Sequence, residues 1–440
     1  FFVVVVCLFF MEEDIPSEDI PLPTEEETNS FHIIFVFFLS FLVTSLFLNS
    51  NKKLALGGLV GLVVFYCVSS LPLLDFLNLL IPPVKLPTNF TVIEWLYWMT
   101  LIELVLIVFS YSFEKISNVV YKQEVFLAGI IGMVRSRDFH WRDPPKPALL
   151  RNVEQKQRKR IVFIRHGESE WNEIFNRGFG IGFFFRLARG FVREILLLTS
   201  RDSVFVDSSL SEEGIEQIEE LHYFLRERKN NGVHEDVVSL LRGDEGTDDS
   251  IILSSNLRRA IATAALALRH RISKSKEQVY IHSALQEVSR NIDANSISRP
   301  CEVPDLHVIQ SRLEDDAIDY DAVFNASLNG GQKVLLRSNG LKRMKEFNRW
   351  IFNQSKEAVI VGGGHSFYFR AFFRCFLDTD DEHYSQKYIM KNGAVVAFDL
   401  EYAKVDGKDR FRIPLDSMKE VFSGHLDDEG GSFKIPQKKA

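Results

Sequence analysis

The chain has 440 residues, more than one typical domain and enough for a sizeable core. Its formal charge of -7 excludes the strongly basic field that a nucleic-acid binder presents. Its four cysteines, Cys7, Cys67, Cys301 and Cys375, lack the spacing of a metal site or a disulfide framework and read as free thiols.

Residues 1–10 are apolar but too short to span a bilayer. The chain opens on Phe, so Met11 reads as the true start, within an acidic tail over residues 1–30. Three apolar runs follow, at 31–48, 54–71 and 92–113, the third interrupted by Glu94 and Glu103. Each has about the 18 residues that a membrane-crossing helix needs, so residues 31–115 are predicted to be a membrane anchor of three helices. Lys52 and Lys53 separate the first two runs, and a basic stretch from Arg135 to Arg160 follows the third. By the positive-inside tendency this predicts an integral membrane protein with everything after the third helix facing the cytosol. The partners implied are the lipid bilayer and no nucleic acid; which membrane is left open.

Residues 116–159 read as a basic juxtamembrane linker, with its prolines near 144–147 marking a boundary. From 160 to 440 the pattern alternates. Strands are predicted at 161–164, 251–253, 279–281, 358–361 and 394–400, and helices at 211–228, 257–271, 341–353 and 366–376. Such alternation predicts an α/β fold: a three-layer, open, mostly parallel sheet with helices on both faces. The charged stretches 230–250 and 314–321 read as solvated surface.

Open parallel sheets bind ligands beyond the carboxyl ends of their strands. The residues delivered there are Arg165 and His166 after the first strand, Arg258 and Arg259 after the second, Glu287 after the third and His365 after the fourth. These suit phosphoryl transfer. A neutral His166 can attack phosphorus. Arginine forks match phosphate oxygens, a protonated His365 adds a donor, and Glu287 can protonate the leaving oxygen. No metal and no cofactor is required. Gly167 and the glycines at 362–364 are expected to let backbone approach the phosphate.

The ordered set RHGESEWN (165–172), LSEEG (210–214), SSNLRRAIATA (254–264), LQE (285–287) and GGGHS (362–366) resembles the histidine phosphatase superfamily, in its phosphoglycerate mutase-like branch. The resemblance spans residues 160 to about 400. It implies His166 as the phosphorylated nucleophile and Glu287 as the general acid. Arg165, Arg259 and His365 become the phosphate pocket, and Asn172 a further phosphate contact. Arg259 is preferred to Arg258 because it directly precedes Ala260, which leaves Arg258 as a surface charge.

After WN the chain departs from the glycolytic mutases, with an extra stretch over about 173–209, and the segment after Glu287 also differs. A phosphatase acting on a phosphomonoester of unspecified class is therefore expected. The alternatives are a phosphomutase and a non-catalytic scaffold that grips phosphorylated ligands. Within the extra stretch, 183–200 has helical spacing. It reads either as a helix packed on the domain or a lid, which is preferred, or as a basic amphipathic helix on the cytosolic leaflet.

Overall fold

The computed structural model describes residues 92–139, 145–178, 180–227, 234–331 and 339–425. The chain divides into two compact units, Phe1–Val108 and Phe109–Ala440. The acidic tail and the apolar runs at 31–48 and 54–71 lie outside the described residues. The third run does form a helix, α1 (Val92–Ser110). Among the described residues no helix is long and apolar enough to cross a membrane.

Among the described residues the larger unit is built on one mixed sheet of nine strands: β1 (Gln157–Arg165), β2 (Ser250–Ser254), β3 (Val279–Ile281), β4 (Phe324–Asn325), β5 (Ala358–Gly364), β6 (Leu377–Asp378), β7 (Val395–Val405), β8 (Lys408–Pro414) and β9 (Lys419–Phe422). The order is β4-β3-β2-β5-β1-β7-β8-β6, with β9 also on β7. From β4 to β1 every pairing is parallel. β7 then runs antiparallel to β1, β8 and β9. The parallel half is the one expected. The segment 394–400 is a strand as expected, but it is longer and reversed.

Helices cover both faces: α2 (Glu114–Arg135), α3 (Glu170–Phe175), α4 (Ile181–Leu196), α5 (Glu212–Arg226), α6 (Glu235–Arg242), α7 (Arg258–Ala267), α8 (Arg269–Ser275), α9 (His307–Asp315), α10 (Tyr320–Val323), α11 (Gly340–Asn353), α12 (Ser366–Phe376) and α13 (Tyr384–Lys387). Strand alternation divides the core. Val162, Ile164, Ile252 and Ile360 face α5 to α9, while Ile161, Phe163, Val359 and Val361 face α11 and α12. Both sides being buried explains why these strands are unbroken apolar runs rather than alternating ones.

Three expectations are corrected. The basic stretch ending at Arg160 is not all linker, because β1 begins at Gln157. There Arg158 pairs with Glu401 (2.7 Å) and Arg160 with Asp399 (2.6 Å) across to β7, which turns a basic run into a strand. Residues 230–250 include α6, whose Val237, Val238 and Leu241 are buried; the surrounding charge conceals that short apolar face. The helix expected at 257–271 breaks at Leu268 into α7 and α8. The stretch 116–159 also holds most of α2, which packs Tyr121 and Val125 against Val206, Ile292 and Ile297. Cys301 and Cys375 are free thiols.

A close approach of β5 to α7 depends on Gly363, where an added Cβ would stand 1.8 Å from the Ala260 carbonyl oxygen. Backbone on both sides cannot yield as a flexible side chain would. Gly363→Ala is expected to lower stability by about 2 kcal/mol or more, measured as the shift in urea midpoint.

Candidate active site

β1 and β5 run parallel and end side by side. The register is regular to Phe163↔Val361 and then shifts, so that Arg165 stands opposite Gly364. The His166 amide donates to the Gly364 carbonyl (3.0 Å). The pairing therefore carries the two histidines past the sheet together, their ring centroids 5.1 Å apart. α7 starts just beyond β2 and presents Arg259. Glu287 follows a short 3-10 turn (Ser283–Leu285) after β3. The expected gathering of Arg165, His166, Arg259, Glu287 and His365 at one rim is what the fold produces, and all five are buried.

The tautomer of His166 follows from its partner. Nδ1 lies 2.6 Å from the Gly167 carbonyl oxygen, which can only accept, so Nδ1 carries the proton. Nε2 then keeps its lone pair. Burial, with Arg259 and Arg165 beside it, holds the imidazole well below its ordinary pKa, so it is neutral at physiological pH. The Asn392 amide donates to the His166 carbonyl (3.0 Å) and the Gly167 amide to Thr263 Oγ1 (3.2 Å), which fixes the turn.

His365 bonds through Nε2 to Ser255 Oγ at 2.8 Å, and its Nδ1 lies 4.0 Å from Glu287 Oε2. Burial first, then Arg259, His166 and Arg165, push it well below the ordinary imidazole value. It is therefore neutral at physiological pH. An incoming phosphate dianion would oppose those cations and favour its charged form.

Glu287 accepts at Oε1 from the amides of Tyr368 (2.9 Å) and Val288 (3.0 Å). With Oε1 so occupied, Oε2 is the oxygen left to carry a proton. Burial raises the carboxyl to about 7, against the pull of Arg259 and Arg165, which suits a group that must give and take a proton near neutrality.

Arg165 donates through Nη1 to the Met390 carbonyl, and burial lowers its guanidinium to about 10. Its Nε is buried with no protein acceptor. Arg259 is tied at Nη1 to Asp293, by the carboxylate at 2.9 Å and the carbonyl at 3.2 Å. Asp293 was not among the expected residues. It lies in a polar stretch after Glu287 with no motif of its own, and only the tertiary contact distinguishes it.

Asn172 lies in α3, its backbone amide donating to Ser169 Oγ (3.2 Å) and its Oδ1 accepting from Asn176 (3.1 Å). Arg258 is not the surface charge expected. It is fully buried, pairs with Asp202, and donates to the Asp207 carbonyl (2.7 Å) and the Ser203 carbonyl (2.7 Å). The glycines serve packing: a Cβ on Gly167 would strike the Gly214 carbonyl and one on Gly364 the Phe369 ring. Among the described residues no cluster of His, Cys, Asp and Glu has the makings of a metal site.

No family model and no curated protein matches the chain. Among solved structures it is similar to mycobacterial glucosyl-3-phosphoglycerate phosphatase, at 16% identity over 60% of this chain and 99% of that one, with a TM-score of 0.29. It is similar also to mycobacterial hydrolase 1 (15% identity, 61% and 100% covered, TM-score 0.28) and mycobacterial hydrolase 2 (15% identity, 62% and 95% covered, TM-score 0.29). The chemistry of the site rests on its own residues.

The two adjacent arginines separate experimentally. Arg258→Ala leaves Asp202 without its buried partner and is expected to cost about 3–5 kcal/mol of stability. The check is thermal unfolding, with yield of folded protein as a second readout.

Proposed function

We propose that this chain is a phosphatase that hydrolyses a phosphomonoester through a phosphohistidine on His166. The observation that carries the reading is the His166 ring, neutral, with Nδ1–H donated to a carbonyl and Nε2 left free, beside Arg165, Arg259, His365 and a carboxyl raised to about 7. Membership of the histidine phosphatase superfamily, in the phosphoglycerate mutase-like branch, belongs to this proposal and rests on the ordered motifs and this geometry.

In the first step Nε2 of His166 attacks phosphorus and the bond to the ester oxygen breaks. Glu287 Oε2 gives its proton to that oxygen, so an alcohol leaves rather than an alkoxide. Arg165 and Arg259 neutralise the phosphoryl oxygens, and the buried surroundings strengthen that attraction. In the second step water attacks phosphorus, the P–N bond breaks and Glu287 takes the proton of the water. His166 and Glu287 return to their starting states, and every group needed is a side chain of this chain. A binding scaffold needs no free nucleophile and no carboxyl tuned near neutrality, so those two features favour the enzyme. The apolar runs and flanking lysines of the sequence support a membrane-anchored phosphatase with its catalytic body in the cytosol.

His166→Ala is expected to abolish phosphate release from an aryl phosphate by the full chain without added metal. Wild type quenched during turnover should carry an acid-labile, base-stable phosphoryl group that the variant lacks. A fully active variant would end the reading.

Glu287 acts in its protonated form. Below about 7 it holds the proton, and as pH rises through that value the proton is lost, so kcat/KM falls on the alkaline side. Glu287→Gln is expected to remove that limb. It should also cost about 100-fold or more on an alkyl phosphate, and much less on a nitrophenyl phosphate, whose leaving group needs no proton. Paired pH profiles of the two substrates check this.

A further inference from the structure

α4 has two apolar faces, and only one of them is used. Phe183, Leu187 and Gly190, spaced at i, i+4 and i+7, are buried against the body. Contact there is close: a Cβ on Gly190 would come within 2.8 Å of Ile174 Cδ1. At about 100° per residue, Ile181, Phe184, Phe185, Val192, Ile195 and Leu196 fall on the opposite side. They are exposed, with Phe184 at 68%, Phe185 at 73% and Leu196 at 76%. Leu198, just past the helix, continues the stripe. This is a convex apolar ridge rather than a groove.

We infer that this ridge of α4 lies in the surface of a lipid bilayer and orients the catalytic body on it. Three observations choose lipid over other occupants. The first is where the chain enters. Residues 109–113 precede α2, and Tyr111 and Phe113 are exposed there. One turn into α2, Asn118 donates to the Thr199 carbonyl (3.0 Å), and Lys122 donates to the Leu197 carbonyl (2.9 Å) and pairs with Glu194 (2.9 Å). The start of α2 is therefore clamped to the carboxyl end of α4, beside Ile195, Leu196 and Leu198. The segment that carries the apolar runs precedes this clamp in the chain.

The second observation is charge. The acidic side chain of α4, Glu194, points away from the ridge, accepting from the Ser203 hydroxyl and the Val204 amide. Arg189 is exposed along one flank of the ridge and Lys115 is exposed at the start of α2. Apolar aromatics flanked by cations match the boundary of a leaflet carrying anionic headgroups. The third is shape: a single convex ridge offers a second protein no pocket, but can sink between acyl chains along its length. As expected, α4 packs on the body by one face, and the other is left exposed.

The test uses the full chain reconstituted into vesicles of phosphatidylcholine with a minor share of phosphatidylserine. Val192→Cys, with the four native cysteines replaced by alanine, carries a fluorophore. Tyr223→Cys, at an exposed position on α5, is the control. Quenching by nitroxide-bearing lipid is expected to be severalfold stronger at 192 than at 223. Arg189→Glu should weaken it in vesicles with phosphatidylserine and not in pure phosphatidylcholine. Val192→Trp, read as the excess quenching by brominated lipid over the unaltered chain, gives the same answer with the native cysteines in place. Equal quenching at both positions with free access of aqueous iodide to 192 would overturn the inference. Shielding from both lipid and iodide would overturn it too, in favour of a second copy or an apolar segment of this chain covering the ridge.

Discussion

The parallel pairing of β1 with β5 is the constraint on which the site depends. These two central strands are held by backbone hydrogen bonds on both flanks, β1 by β7 and β5 by β2. Their apolar side chains are buried on both faces, so a slip of one residue would exchange the sets packed on the two sides of the sheet and spoil the fit of each. The shift in register after Phe163 then places Arg165 opposite Gly364 and sets His166 and His365 at one level. Gly363 and Gly364 are needed because α7 and the Phe369 ring press on the strand where it ends. The tightness of the core and the placing of the histidines are one feature.

Around that centre, buried ion pairs fix the surrounding loops. Arg343 and Asp138 are both fully buried and joined by two hydrogen bonds, at 2.6 and 2.9 Å. Arg343 also donates to the carbonyls of Gln286 (3.3 Å) and Glu287 (3.1 Å). The backbone of the candidate acid is thereby tied to the segment that follows α2. Arg258 with Asp202 and Asp207 does the same for the loop ahead of α5. Such pairs need not stabilise more than an apolar replacement would, but losing one partner strands a charge in the interior. They specify positions more than they add stability.

The electrostatics follow from burial. Burial, reinforced by two guanidinium groups, depresses both imidazoles, and burial raises Glu287. Without ligand, the cost of gathering cations is met by keeping the histidines neutral. The proposed phosphate ester would meet two guanidinium groups there, one of them already oriented by Asp293.

Much of this was legible in the chain before folding. Apolar runs at 161–164, 251–253 and 358–361, each ending in charged or glycine-rich turns, determine buried strands and a rim of functional groups, because local periodicity and turn chemistry act over a few residues. The rim therefore held Arg165, His166, Arg259, Glu287 and His365 as read. What periodicity does not carry was decided by contacts distant in sequence. β7 pairs antiparallel with β1 along its length, with Arg158 and Arg160 meeting Glu401 and Asp399 across the pair. Arg258 is interior because Asp202 and Asp207 wait for it. Asp293 matters only because Arg259 reaches it, and burial is what pushes His365 below its ordinary value. Residue type and spacing determined which chemistry the chain can perform; desolvation and long-range pairing decided which atoms are free to perform it.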